Sequence, residues 1–335
     1  QKLTTYEPYK VTPIPQSQVG RYSIILAIGE SLNPHHISAL GYERDTTPEL
    51  KALMEQYQGT GRLIVSNAVS TRVAIPMLVN NLREPDNYAA YKNKSANIFV
   101  NAQKGGYQTA FISAQGLEGL SNWIGIHALN LWEDTQVRPA PEIGADVVLT
   151  PSVEKADINW AKPFLMVLNS RAPHIPYDRN IPQGFARFST PEAGDEVTQK
   201  KNEYDDAVRL YDRELASAIR TVMAKSKLPV LVFVTSDHGE RVGDGGLFGH
   251  SIVSMPIAQV PFLYFSNDPA YSMHNIAPQM PLNHYQLATL INKMLGYTIE
   301  NPNLKDDSYF ITGGDIRGLS ERVTYHLNAL PPAEQ

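Results

Sequence analysis

The run Pro229-Val230-Leu231-Val232-Phe233-Val234 is apolar and rich in β-branched residues, and it reads as a strand buried on both faces of a parallel sheet. A strand of that kind needs helices on both sides, which restricts the chain to an α/β architecture. The strand ends in Thr235-Ser236 and then Asp237-His238-Gly239-Glu240. Open α/β sheets bind ligands at the carboxyl ends of their strands, where this acid–imidazole pair would stand. Asp offers a hard oxygen and neutral His a borderline nitrogen, a pairing that suits Zn²⁺. Glycines between Gly239 and Gly249 leave room for His250 to fold back toward the pair. The competing reading makes Asp237 a helix cap and His238 a satisfied polar residue, and this motif by itself does not choose.

Other strands repeat the pattern. Arg21–Ile28 reads as another central strand and again ends in a carboxylate, at Gly29-Glu30-Ser31. Asn33-Pro34 has the form of a helix cap followed by proline at the first helical position. His35 and His36 fall in that helix, where adjacent histidines are ordinarily solvated. A helix is expected over Glu49–Gln58, and Leu63–Val65 reads as a short strand before the polar patch Ser66–Ser70. Thr71 then opens a helical run toward Leu78. A hydroxyl at a helix start gains from the positive end of the dipole, which favours an oxyanion or phosphoryl group there. Equally, Ser70 or Thr71 could be a simple cap.

Gln108–Ser113, Asp146–Leu149, Phe164–Leu168 and Val260–Phe265 read as further strands. His174 lies in the loop that follows Phe164–Leu168. Tyr204, Val208, Tyr211, Leu215 and Ile219 recur at helical spacing within Lys201–Lys225, and Leu282–Leu295 reads as a last helix. Strands alternating with helices predict a doubly wound, largely parallel central sheet flanked by helices. The expected organisation is an N-terminal lead-in or tether over 1–20, with three prolines, and one catalytic domain over 21–335.

Composition narrows the function. With 42% hydrophobic and 19% charged residues the chain is of ordinary globular type. A formal net charge of −5 and no Lys/Arg cluster argue against nucleic acid as a partner. The absence of cysteine removes disulfides and thiolate zinc sites. The longest apolar runs fall far short of the ~20 residues that span a bilayer. The chain starts on Gln1, which reads as a processed or truncated start.

Four stretches together resemble the catalytic domain of the bacterial phosphoethanolamine transferases, within the alkaline phosphatase/sulfatase superfamily. Gly29-Glu30-Ser31 matches that family's G-E-[ST], followed by Gly41-Tyr42-x-Arg44-x-Thr46-x-Pro48. Ser70-Thr71-x-x-x-Ile75-Pro76 resembles its nucleophile segment. Asn202-x-Tyr204-Asp205 matches N-x-Y-D, and Ser236-Asp237-His238-Gly239-Glu240 with His250 matches S-D-H-G-E…H. The chain departs from the pattern in lacking cysteine, in carrying Ala114 within Ser113-Ala114-Gln115 where Asn is common, and in Asn33, Arg72 and Ala74.

The resemblance implies zinc held by Glu30, Thr71, Asp237 and His238, with Thr71 as nucleophile and His174 and His250 acting on the phosphoryl group or holding a second ion. It implies phosphatidylethanolamine as donor and lipid A, a core sugar or a periplasmic glucan as acceptor. It also implies a monomeric domain facing the periplasm, attached to the bacterial inner membrane through an N-terminal segment outside this chain. Alternatives on the same fold are a phosphodiesterase or phosphatase-type hydrolase and a phosphoglycerol transferase. From another class, a non-catalytic binding domain would keep the fold without the chemistry.

Overall fold

A computed structural model describes residues 5–330 apart from 16, 18, 116–135, 140–144, 193, 251 and 314–320. Its strands in chain order are β1 (Lys10–Pro13), β2 (Ser23–Gly29), β3 (Thr60–Val65), β4 (Gln108–Ser113), β5 (Gln136–Pro139), β6 (Phe164–Asn169) and β7 (Val230–Ser236). They continue with β8 (Arg241–Val242), β9 (Phe248–Gly249), β10 (Gln259–Ser266), β11 (Tyr297–Glu300), β12 (Ser308–Thr312) and β13 (Arg322–His326). Seven strands form the central sheet in the order β3-β10-β7-β2-β6-β4-β5. β7, β2, β6, β4 and β5 run parallel, while β10 is antiparallel to both β7 and β3. The sheet is therefore mixed and mostly parallel.

Strand β2 explains why the middle of this sheet is so apolar. Ile24, Leu26 and Ile28 enter one core, and Ile25 and Ala27 enter the other, so both faces are dry. Fully burying one such aliphatic side chain stabilises the fold by about 1.5–3 kcal/mol. The first core is completed by Ile75 and Leu78 of the helix Thr71–Val79, and by Leu287 and Ile291 of the helix His284–Met294. The second is covered by the 30-residue helix Glu196–Lys225, whose Tyr204, Val208, Tyr211, Leu215 and Ile219 are buried at the spacing the sequence predicts. Asp195 caps that helix by accepting from Thr198 N at 2.8 Å.

Three local expectations are corrected. Asp146–Leu149 is not a strand: Ala145–Val148 is a 3₁₀ turn running into the helix Leu149–Glu154. Asp146 instead accepts from the backbone N–H groups of Arg171 and Ala172 at 2.6 and 3.3 Å, fixing the loop after β6. The segment after Asn33 forms two 3₁₀ turns, Pro34–His36 and Ser38–Leu40, in place of one helix, although Asn33 does cap the first by accepting from His35 N. His36 is buried where solvation was expected, and its Nδ1 lies 2.6 Å from Asp205 Oδ1. At the N-terminal end, Lys10–Pro13 pairs antiparallel with Tyr297–Glu300. The hairpin β12–β13 joins the segment before Thr71 through Thr312, whose backbone bonds Asn67 O and Val69 N.

Candidate active site

Two adjacent strands deliver the three acidic and imidazole side chains of the site. β2 ends at Gly29, so Glu30 is the first residue beyond it, and β7 ends at Ser236, so Asp237 and His238 follow directly. The parallel register pairs Gly29 with Ser236, which sets Glu30 and Asp237 side by side. All three side chains are fully buried. Gly239 permits the chain to leave: a Cβ there would stand 2.5 Å from Gln259 O and 2.9 Å from Ile257 O. Close backbone approach, and not a left-handed conformation, is what requires glycine at this position.

Thr71 is the first residue of its helix, with Ser70 preceding it in extended conformation and making no side-chain capping bond. The Thr71 hydroxyl is turned to the strand ends instead. Its Oγ1 lies 3.0 Å from Glu30 Oε2, 2.5 Å from Asp237 Oδ2 and 3.4 Å from His238 Nε2. His238 Nδ1 sits 2.8 Å from Gly239 O, a carbonyl that only accepts, so Nδ1 carries a hydrogen and, in the neutral ring that a metal requires, Nε2 presents a lone pair. One hydroxyl hydrogen thus faces three acceptors. Such a convergence of lone pairs is the arrangement a cation satisfies, and the two carboxylates and the imidazole nitrogen have ligand atoms all within 4.8 Å of one another. Two carboxylates, one imidazole and a hydroxyl oxygen form a donor set that fits Zn²⁺.

The electrostatics express the same crowding. Burial, and then the facing charge of Glu30, push the Asp237 carboxyl well above the usual range. Burial acts upward on Glu30 too, but the imidazoles of His238, His174 and His250 and the Ser31 hydroxyl outweigh it and bring it down to about 2. The backbone helps to hold both acids. Asp237 Oδ1 accepts from Ser31 N at 3.1 Å and His238 N at 2.7 Å, and Glu30 Oε1 accepts from Ser31 Oγ at 2.6 Å.

The remaining two histidines stand beside this cluster without joining it. The His250 ring lies against His238, centroids 4.1 Å apart, and its Nδ1 is 3.2 Å from Glu240 Oε1. β8 and β9 form the small hairpin that returns the chain to His250, with Gly249 at φ +101°. His174 is half-buried, with Nδ1 2.5 Å from Ile175 O, and is near enough to lower the Glu30 pKa. All six residues singled out from the sequence therefore occupy one edge of the sheet.

Sequence reasoning did not assign roles to Gln115, Ser31, Tyr204 or Glu240. Gln115 Nε2 donates to Glu30 Oε2 at 2.9 Å. Ser31 takes φ +56°, and the Tyr204 hydroxyl holds that turn by donating to Ser31 O at 2.7 Å and accepting from Asn33 N at 2.8 Å. Gln115 follows a strand expected to end at this same edge, which was the signal available for it. Tyr204 read as one more apolar position of a long helix.

The sulfatase family model matches residues 23–296, and the chain belongs to that family. Among curated proteins it is similar to phosphoethanolamine transferase EptA of Helicobacter pylori, 25% identical over 297 residues that cover 84% of this chain and 54% of that protein. It is also similar to phosphoethanolamine transferase EptC of Escherichia coli, 29% identical over 244 residues covering 66% of this chain and 40% of that one. Among solved structures, the C-terminal periplasmic domain of EptC from Escherichia coli in complex with Zn superposes with a TM-score of 0.74 at 20% identity, covering 98% of each chain. A protein of the alkaline phosphatase superfamily from Vibrio parahaemolyticus gives 0.56 at 19% identity over 87% of this chain and 70% of that one. The fold is that of this superfamily. The chain spans about half, or less, of the length of the curated relatives it matches.

Proposed function

We propose that this chain is the catalytic domain of a zinc-dependent phosphoethanolamine transferase that works through a phosphothreonine at Thr71. The donor is phosphatidylethanolamine, and the acceptor is a hydroxyl of a cell-envelope glycan or lipopolysaccharide. The observation that carries this reading is the Thr71 hydroxyl, half-buried at a helix start against three acceptors. A hydroxyl placed as a mere cap would face backbone N–H groups instead. The names of the relatives supply the transferred group, and the Zn-bound neighbour supports the choice of metal.

Glu30, Asp237, His238 and Thr71 Oγ1 would hold the ion. Bound zinc supplies a Lewis acid that stabilises negative charge developing on oxygen. The chain's own residues do the rest. Thr71 Oγ1 attacks phosphorus in line, its hydrogen passing toward Asp237 Oδ2 at 2.5 Å. The Thr71 O–P bond forms, the P–O bond to diacylglycerol breaks, and the departing oxygen takes a proton from His174 or His250. An acceptor hydroxyl then attacks the phosphothreonine, losing its proton to the same imidazole, while Thr71 leaves and recovers its hydrogen. The longer relatives include a protein described as an integral membrane lipooligosaccharide phosphoethanolamine transferase from Neisseria meningitidis, of which this chain covers 59%. By that analogy the domain faces the periplasm from the inner membrane.

Diacylglycerol release from phosphatidylethanolamine vesicles tests the reading. Wild-type protein is expected to release it in an acceptor-dependent manner, and Thr71→Ala to fall by several orders of magnitude. Steady release of free phosphoethanolamine at the same rate without acceptor would make the protein a hydrolase.

A further inference from the structure

Glu30 is buried, and the last torsion of a glutamate is broad and soft, so something must choose its carboxylate plane. Ser31 Oγ engages Oε1 at 2.6 Å. On the other oxygen, Gln115 Nε2 donates at 2.9 Å. Gln115 stands two residues beyond β4, whereas Glu30 follows β2, and β6 lies between those strands. The glutamine side chain therefore reaches over the end of β6, and in passing it donates to Ser170 O there at 2.9 Å.

Both hydrogens of the amide are thus spent on acceptors. The reversed orientation would bring the amide oxygen against a carboxylate and a carbonyl, so the hydrogen-bond network itself fixes which end faces Glu30. The glutamine backbone is held as well: Gln115 N donates to Ser113 Oγ at 3.0 Å, and Ser113 Oγ donates to Gln115 O at 3.2 Å. Asn169 Nδ2 braces the same hydroxyl at 3.0 Å. The side chain is buried and anchored at both ends.

We propose that Gln115 is a positioning residue for the metal centre, acting through Glu30. By taking one lone pair of Oε2 while Ser31 takes one of Oε1, it fixes the carboxylate plane and leaves one lone pair on each oxygen facing His238, Asp237 and Thr71. Hydrogen bonds that orient a ligating group are worth about 10–100-fold in metal affinity. This inference rests on the zinc site of the proposed function and extends it to a residue that touches neither substrate nor metal.

Competition with a chromogenic zinc chelator on metal-free protein tests it. Gln115→Met keeps length and shape but removes both donors, and it is expected to weaken zinc binding by about 10–100-fold. Gln115→Asn, one methylene too short to reach, should do the same and serves should the methionine variant fail to fold. A double-mutant cycle separates positioning from general packing. In a Glu30→Gln background, Gln115→Met should add little further loss, because its target is already altered. Unchanged zinc affinity in Gln115→Met, or full additivity with Glu30→Gln, overturns the inference while leaving the zinc site standing. A wild-type protein that binds no zinc overturns the metal reading and this inference with it.

Discussion

At the scale of single residues, burial decides what each ionisable group does. His284 begins the helix His284–Met294, fully buried, with Nε2 3.0 Å from Thr235 Oγ1. Burial lowers its pKa to about 3 from an ordinary 6.5. Between those values the unfolded chain binds a proton that the folded chain refuses. The contribution is therefore fully present above about pH 6.5 and is lost as pH falls toward 3. From pH 6.5 to 5 the loss is about 2 kcal/mol for this one group. Urea midpoints of wild type and His284→Gln, measured across that window, should show the wild type falling more steeply. Parallel curves would mean that His284 becomes protonated in the folded protein. Asp146 behaves in the opposite sense. Burial raises it to about 7, so its charge opposes folding increasingly as pH rises from the ordinary carboxylate range toward 7.

At the scale of elements, the site depends on a turn that one helix holds. Ser31 adopts a left-handed conformation that non-glycine residues seldom take, and it does so between two hydrogen bonds to the Tyr204 hydroxyl. Tyr204→Phe leaves Ser31 O and Asn33 N without that partner. It is expected to cost about 1–3 kcal/mol in denaturant unfolding, and to lower turnover because Glu30 is the neighbouring residue. Wild-type stability in the variant would contradict this role. Which elements could be read from sequence follows from the same physics. β2 and β7 were legible because strands dry on both faces are apolar throughout. The short run Asp146–Leu149 misled because a brief apolar, β-branched stretch looks alike in strand and helix. The direction of β10 was not legible, since side-chain alternation is the same in parallel and antiparallel pairs. The hairpin β12–β13 was missed because its role comes from distant backbone bonds between Thr312 and the segment before Thr71. Among site residues, Glu30, Asp237 and His238 were legible because carboxylate and imidazole directly follow readable strands. Gln115 was not, because its role requires reaching across β6, a relation that only the strand order reveals.

At the scale of the whole molecule, a mostly parallel sheet gathers the ends of β2, β4, β6 and β7 at one edge, and the helix Thr71–Val79 brings its first residue to meet them. Buried acidic groups collect there at a cost that a bound cation would remove. In the proposed mechanism Thr71, at that point, carries the transferred group. The most direct measurement is peptide mass spectrometry after incubating zinc-loaded protein with phosphatidylethanolamine and no acceptor. A phosphoethanolamine adduct is predicted on Thr71, absent from Thr71→Ala and discharged on adding an acceptor glycan. An adduct on Ser70, or turnover in Thr71→Ala equal to wild type, would contradict it.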